Sequence, residues 1–464
     1  LSFPGTGRIA DYRCILIPFR DMFMSAFVHP DEIRSRFSAA LSAMYRAEVP
    51  QYGELLTLVA DINARTLKAD AAGADRLAAS GELARLSEER HGAIRVGTAA
   101  ELATIARAFA VMGMEPVSYY NLAPAGVPVH STAFRPVSPA ALARNPFRVF
   151  TSLLRLELIE DEALRAEAAE TLARRDIFTP GARDLIAAAE DQGGLDEAQA
   201  DRFVSELLET FRWHAEATVS AETYDRLVAA HRLIADVVSF KGPHINHLTP
   251  RTLDIDAAQA AMPERGITPK ETIEGPPARA CPILLRQTSF KALEEAIAFP
   301  GTDGATAGTH TARFGEIEQR GCALTPAGRA LYDEALARKD FSALPDDWTA
   351  LRRSELAWFR YRATPQGLAA QVETADLEDL IALGHVVAEP ITYEDFLPVS
   401  AAGIFQSNLG AEARAAAYAV DPARAEFETA LGRAVQDEMA LYRAEQDASI
   451  AATLKALSPA PITA

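Results

Sequence analysis

Three short polar segments concentrate chemistry-bearing side chains inside stretches that otherwise read as strand. They are His91-Gly92-Ala93-Ile94-Arg95, Gly242-Pro243-His244-Ile245-Asn246-His247 and His310-Thr311-Ala312-Arg313-Phe314-Gly315-Glu316. Together they offer two imidazoles, one carboxylate and a nearby cation. That is the donor set of a metal site with open positions, able to hold Fe(II) for oxygen chemistry or Zn(II) for hydrolysis. His91 and Arg95 are four residues apart, so in a strand both face one way with the small Ala93 between them. The spacing leaves room for a ligand bridging base and cation; a strand-edge imidazole and a surface guanidinium fit it equally well. His244 and His247 have opposite parity in an ideal strand, so at most one faces a common site unless the chain turns. Pro243 and the Thr249-Pro250 pair favour such irregular backbone. Lys241, Asn246, Arg251, Asp254 and Asp256 add more polarity here than a plain core strand accepts. In the third segment Glu316 and Glu318 share a face. Either carboxylate can bind metal, and salt bridges to Arg313 or Arg320 are the commoner fate of such a residue.

The remaining histidines divide by context. His214, beside Trp213, and His231 sit on helical stretches and read as structural. His130 and His310 lie on strand candidates, where they can serve as partners of ligands, and His29 and His385 offer nothing specific. Cys14, Cys281 and Cys322 form an odd, sparse set without CxxC spacing, which argues against a disulfide framework and for a reducing compartment, the cytoplasm by default. No GxSxG, Walker loop or GxGxxG fingerprint supports other chemistries. A formal charge of −18 argues against a nucleic-acid partner. No apolar run approaches the roughly 18 residues a membrane span requires.

The elements that must position these residues follow from periodicity. With 464 residues, 49% of them apolar, the chain can bury a large core. Ile33, Phe37, Leu41 and Met44 mark one face of a helix after Asp31, and a second helix follows the break at Pro50. Ala93 to Val96 reads as a strand. Thr98-Ala99-Ala100-Glu101 then matches a capping box, Leu102, Ile105, Phe109 and Met112 share a helical face, and Gly113 supplies the stop. Strands are expected at 117–120, 127–134 and 147–159, the last half-buried, with Phe150, Leu154, Leu156 and Leu158 inward. This βαβββ order indicates an α+β fold. A helical insertion is expected over about 160–236. Strands are expected again at 237–248, 283–290 and 313–319, with a helix from Ser289 to about Ile297. From Thr325 the chain reads as mostly helical, closing with a helix from Asp421 to about Ala456. Residues 1–23 lack periodicity, and we expect translation to start near Met22 or Met24, with 24–457 as one elaborated domain and 458–464 as a frayed tail.

Six long stretches carry a resemblance: ERHGAIRVGTAAELATIARAFAVMGMEPV, PFRVFTSLLRLELI, KGPHINHLTPRTLDID, PILLRQTSFKALEE, HTARFGEIEQRG and EDFLPVSAAGIFQSNLG. Through them the chain, from about Phe27 to Tyr442, resembles the 2-oxoadipate dioxygenase/decarboxylase (hydroxyglutarate synthase) family. The resemblance implies a vicinal-oxygen-chelate-like curved mixed β-sheet around a metal site, with large helical insertions and helical termini. It implies Fe(II) held by His91, His247 and Glu316; the choice of His247 over His244 rests on this motif alignment. It further implies substrate contacts at His91, Arg95, Val399 and Ser400, with Arg95 the arginine that pairs with a substrate carboxylate during catalysis. The reaction implied turns 2-oxoadipate, a 2-oxo dicarboxylic acid, and O2 into 2-hydroxyglutarate and CO2, late in bacterial lysine breakdown. Two rivals use the same residues. A Zn(II) hydrolase predicts oxygen-independent turnover and lacks the HExxH spacing, and a non-enzymatic metal or 2-oxo-acid sensor predicts binding without turnover.

Overall fold

The computed structural model describes residues 27–290, 293–301, 306–311, 313–370, 376–397 and 422–458. The expected N-terminal extension, most of the expected tail, Val399, Ser400 and Cys14 lie outside them.

Strands β1 (Arg90–Val96), β2 (Glu115–Asn121), β3 (Val129–Arg135), β4 (Arg148–Leu154) and β5 (Leu248–Pro250) form one mixed sheet in the order β2-β3-β4-β1-β5. β1 runs parallel to β4, and the other pairs are antiparallel. The expected strand–helix–strand logic holds. Thr98 and Glu101 form a reciprocal capping box on the helix Ala99–Val111, and Gly113 takes the left-handed conformation (φ 66°) that lets the chain turn into β2. Beyond β5 the sheet continues by a parallel bridge from Arg251 to Glu318 of β9 (Glu316–Arg320), and Thr252 donates to the Glu318 carbonyl at 2.7 Å. β9 pairs antiparallel with β6 (Leu285–Ser289). The central strands are buried on both faces. Ala93 and Phe150 belong to one apolar cluster, and Ile94, Val96 and Val149 to a second on the opposite side. No described helix is long and apolar enough to cross a membrane.

Several expectations change. β4 ends at Leu154 and is buried throughout, because both sheet faces are covered; Leu156–Leu158 is a 3-10 turn, with Leu158 exposed. The segment 237–248 is not a strand. The helix Arg232–Val238 runs into irregular backbone that reaches β5 only at Leu248. The expected helix over 289–297 is instead β7 (Glu295–Phe299), paired with β8 (Thr306–His310). β10 (Phe359–Ala363) and β11 (Val386–Pro390) form a further antiparallel pair within the stretch expected to be helical. The last helix is two, Pro422–Leu431 and Glu438–Leu457. The helical stretch after Glu160 is present as helices Glu162–Arg174, Pro180–Gln192, Glu197–Leu208, Ala221–Ala230 and Arg232–Val238.

Candidate metal centre

The three proposed ligands come from two strands and the residue that leads into a third. His91 lies on β1 opposite Thr249 of β5, and Glu316 opens β9. His247 immediately precedes β5. Hydrogen bonds from the backbone stitch these segments together: Asn246 N–H donates to the Ala93 carbonyl at 3.0 Å, and Phe314 N–H to the Asn246 carbonyl at 3.1 Å. Tyr45, from the helix Pro30–Glu48, places its hydroxyl 3.0 Å from the Asn246 carbonyl and 2.8 Å from that of Phe314. The irregular approach to β5 resolves the parity problem. One ligand atom each from His91, His247 and Glu316 lies within 4.8 Å of the others, and all three residues are buried.

The electrostatics suit a cation. Both ring nitrogens of His247 are buried without a hydrogen-bond partner. Burial, followed by the charges of His91 and Arg95, holds its pKa well below the usual imidazole range, so it stays neutral with a lone pair to give. Burial pushes the Glu316 carboxyl up against the pull of His91. Burial also disfavours charge on His91, but Glu318 and Glu316 outweigh it and raise the pKa. Glu318 falls to about 2 despite its burial because Arg320, then His91, stabilise the carboxylate. A buried carboxylate, a neutral imidazole and a second imidazole 3.4 Å from that carboxylate fit a divalent first-row metal.

A second layer of side chains fixes the ligands. Nδ1 of His91 lies 2.9 Å from Glu318, leaving Nε2 toward Glu316. Such a carboxylate sets the tautomer and orientation of a metal-bound histidine. Arg320 grips both oxygens of Glu318 at 2.9 Å and donates to the carbonyls of Tyr393 and Asp395. Gln287 donates to Glu316, Phe396 meets the His91 ring edge-on at 5.0 Å, and Phe314 packs on His247 at 4.8 Å. Glu89 receives Arg148 at 2.9 Å and Arg251 at 3.1 Å, a buried charge cluster beneath β1.

Arg95 shares the His91 face of β1, as parity required, and its Nη1 donates to Asp236 at 2.8 Å. His244 stands outside the triad, with Nε2 3.3 Å from Asp236 and Trp213 against its ring. His310 also meets Asp236, at 3.0 Å, so it serves the arginine and not the metal ligands. His130 instead packs on Tyr119 and Phe427. His231 caps the helix Arg232–Val238, and His214 lies 3.5 Å from Glu209. Sequence reasoning missed Tyr45, Asp236 and Gln287. None carries a local signal, since each acts through partners distant in the chain.

The family profile described as 2-oxoadipate dioxygenase/decarboxylase matches residues 37–408. The chain is similar to the 2-oxoadipate dioxygenase/decarboxylase of Escherichia coli K12, with 59% identity over 444 residues, 92% of this chain and 98% of that protein. It is also similar to the protein of the same name from Mycobacterium tuberculosis H37Rv, with 43% identity over 435 residues, 91% and 98% of the two chains. The crystal structure of the Pseudomonas putida hydroxyglutarate synthase in complex with 2-oxoadipate superimposes with a TM-score of 0.86 at 55% identity, covering 93% of this chain and 99% of that one. The chain belongs to the 2-oxoadipate dioxygenase/decarboxylase family.

Proposed function

We propose that this chain is an Fe(II)-dependent, non-haem dioxygenase that converts 2-oxoadipate and O2 to 2-hydroxyglutarate and CO2. The observation that carries this reading is the buried His91, His247 and Glu316 triad within a chain of this family. A facial set of two histidines and one carboxylate leaves coordination positions open and is the donor pattern of Fe(II) oxygenases. Fe(II) bound there supplies a place where a 2-oxo acid and dioxygen meet. The chain's own residues do the rest. Neutral His247 and the carboxylate of Glu316 hold the ion, while Glu318 keeps Nε2 of His91 directed inward. Arg95, partly open to solvent with 14% of its side chain exposed, offers a planar fork for a substrate carboxylate. Phe314 and Phe396 flank the ligand rings and limit water around them. Val399 and Ser400 are proposed as further substrate contacts on the strength of the motif alone. The βαβββ unit, with β1 parallel to β4, supports reading the sheet as a curved vicinal-oxygen-chelate-like module.

The test is anaerobic loading of the metal-free enzyme with Fe(II), then addition of 2-oxoadipate and air, with oxygen uptake and products followed by mass spectrometry. Oxygen consumption with equal formation of 2-hydroxyglutarate is expected. Oxygen-independent turnover with Zn(II), or binding without turnover under verified iron loading, would overturn the assignment.

A further inference from the structure

Away from the candidate metal ligands, three polar side chains converge on one buried carboxylate. Asp236, on the helix Arg232–Val238, takes the Arg95 Nη1 donor on one oxygen at 2.8 Å. Its other oxygen lies 3.0 Å from Nε2 of His310 and 3.3 Å from Nε2 of His244. Nδ1 of His310 is in turn 2.8 Å from the Tyr224 hydroxyl. The surroundings are aromatic. Trp213 stacks on His310 at 5.9 Å with the rings 7° apart and meets His244 edge-on at 4.7 Å, and Phe240 packs on both imidazoles. Asp236 is therefore fixed by two imidazoles besides Arg95.

The consequence lies in the arginine. Its guanidinium carries five N–H donors in a rigid plane on a flexible stem that samples many rotamers. Nη1 is engaged by Asp236, and the guanidinium forms no other hydrogen bond with a described residue. Among the described residues the Nε–Nη2 edge is thus left for a carboxylate while the opposite side is anchored. Resting on the reading of Arg95 as the partner of a substrate carboxylate, we propose that Asp236, fixed by His310, is a positioning residue that presents the free edge of Arg95 to the substrate. Two effects of Asp236 oppose each other: its charge weakens the attraction of Arg95 for an anion, and its hydrogen bond removes the search over rotamers. A planar bidentate contact depends on orientation more than on net charge, so positioning dominates.

The test measures binding of 2-oxoadipate to the iron-loaded enzyme by calorimetry under strict exclusion of oxygen, with Fe(II) affinity measured alongside. Asp236→Ala is expected to weaken 2-oxoadipate binding about tenfold, the scale of a hydrogen bond to a charged group, with Fe(II) affinity unchanged. Asp236→Asn, which can still offer Arg95 a carbonyl oxygen, should recover most of that loss. In an Arg95→Ala background, Asp236→Ala should weaken binding no further, because the residue acts through the arginine. His310→Asn, which removes one anchor of the carboxylate, should cost about threefold and provides the reading if Asp236→Ala does not fold. Weakened binding in Arg95→Ala alongside wild-type binding in Asp236→Ala, or equal losses in both backgrounds, would overturn the positioning role alone. Unchanged binding in Arg95→Ala would instead sink the substrate role of the arginine and this inference with it.

Discussion

Replacing Gly92 by alanine perturbs the metal centre through the backbone alone. Gly92 follows His91 on β1 and lies opposite Leu248, next to His247. A Cβ built on Gly92 comes within 2.6 Å of Cδ1 of Ile245 and 2.8 Å of the His247 carbonyl oxygen. The isoleucine methyl can rotate away, but the carbonyl is part of the chain that carries a ligand. Ordinary contact begins at 3.4 Å, so the His247 backbone must withdraw by about 0.6 Å. Metal–ligand distances are satisfied only within about 0.2 Å of their optimum, so the displacement is roughly three times the tolerance. The added methyl should cost about 1–3 kcal/mol of stability, as overpacking in a filled interior does. We expect metal affinity to fall about tenfold to a hundredfold, the range seen when the support of a ligand is disturbed. The assay is titration of metal-free protein with Co(II), read by absorbance, beside thermal melting of the same samples in excess chelator. A variant with wild-type Co(II) affinity would refute the claim that close approach of β1 to the residue before β5 sets the position of His247.

Three further expectations follow from the same geometry. His247→Ala should lose bound iron, while His244→Ala, which removes a side chain packed on Asp236, Asn246, Trp213 and Phe240, should retain it; elemental analysis of the purified variants separates the two. Glu318→Gln, which keeps the shape but not the charge beside Nδ1 of His91, should weaken Co(II) binding about tenfold or more without removing the site. Glu438, buried and accepting from Ser118 at 2.8 Å, has its carboxyl pushed up to about 7 by burial and then by Asp395. The folded chain therefore holds an extra proton between the ordinary value of 4.5 and about 7, and stability declines as pH rises through that window. Glu438→Gln should remove this part of the decline, raising the melting temperature at pH 8 more than at pH 5.

The candidate metal ligands were legible because each sits in a polar run out of keeping with its strand, but their selection was not. His244 and His247 could be told apart only by motif alignment, since periodicity has no force where the backbone leaves regular structure between Ser239 and His247. The helix expected over 289–297 failed for a related reason. Ala292-Leu293-Glu294-Glu295-Ala296 has helical composition, yet the pairing of Glu295–Phe299 with Thr306–His310 outweighs local preference. β10 and β11 escaped notice because helices separate them, and Phe359 meets Pro390 across 31 positions of chain. Asp236 is one of 64 acidic residues and nothing around it in sequence marks it. Only the docking of β8 and β1 against its helix assembles its partners. Tyr45 shows the same limit, since it reads as one more aromatic on an amphipathic helix and instead joins the segments that carry two ligands.

The burial of the three donors, with His91 0%, His247 2% and Glu316 5% exposed, separates affinity from lifetime. For an ion held by these donors, departure would require the ligand segments to move apart, so its exchange would follow the pace of local opening. Raising the chelator concentration would then accelerate extraction only until opening itself becomes limiting. Fe(II) binds such donors more weakly than Cu(II) or Zn(II) at equilibrium. A slowly opening enclosure lets the first ion seated outlast stronger competitors that arrive later. The metal found in this triad would then record the conditions under which the chain was loaded, and not equilibrium preference alone.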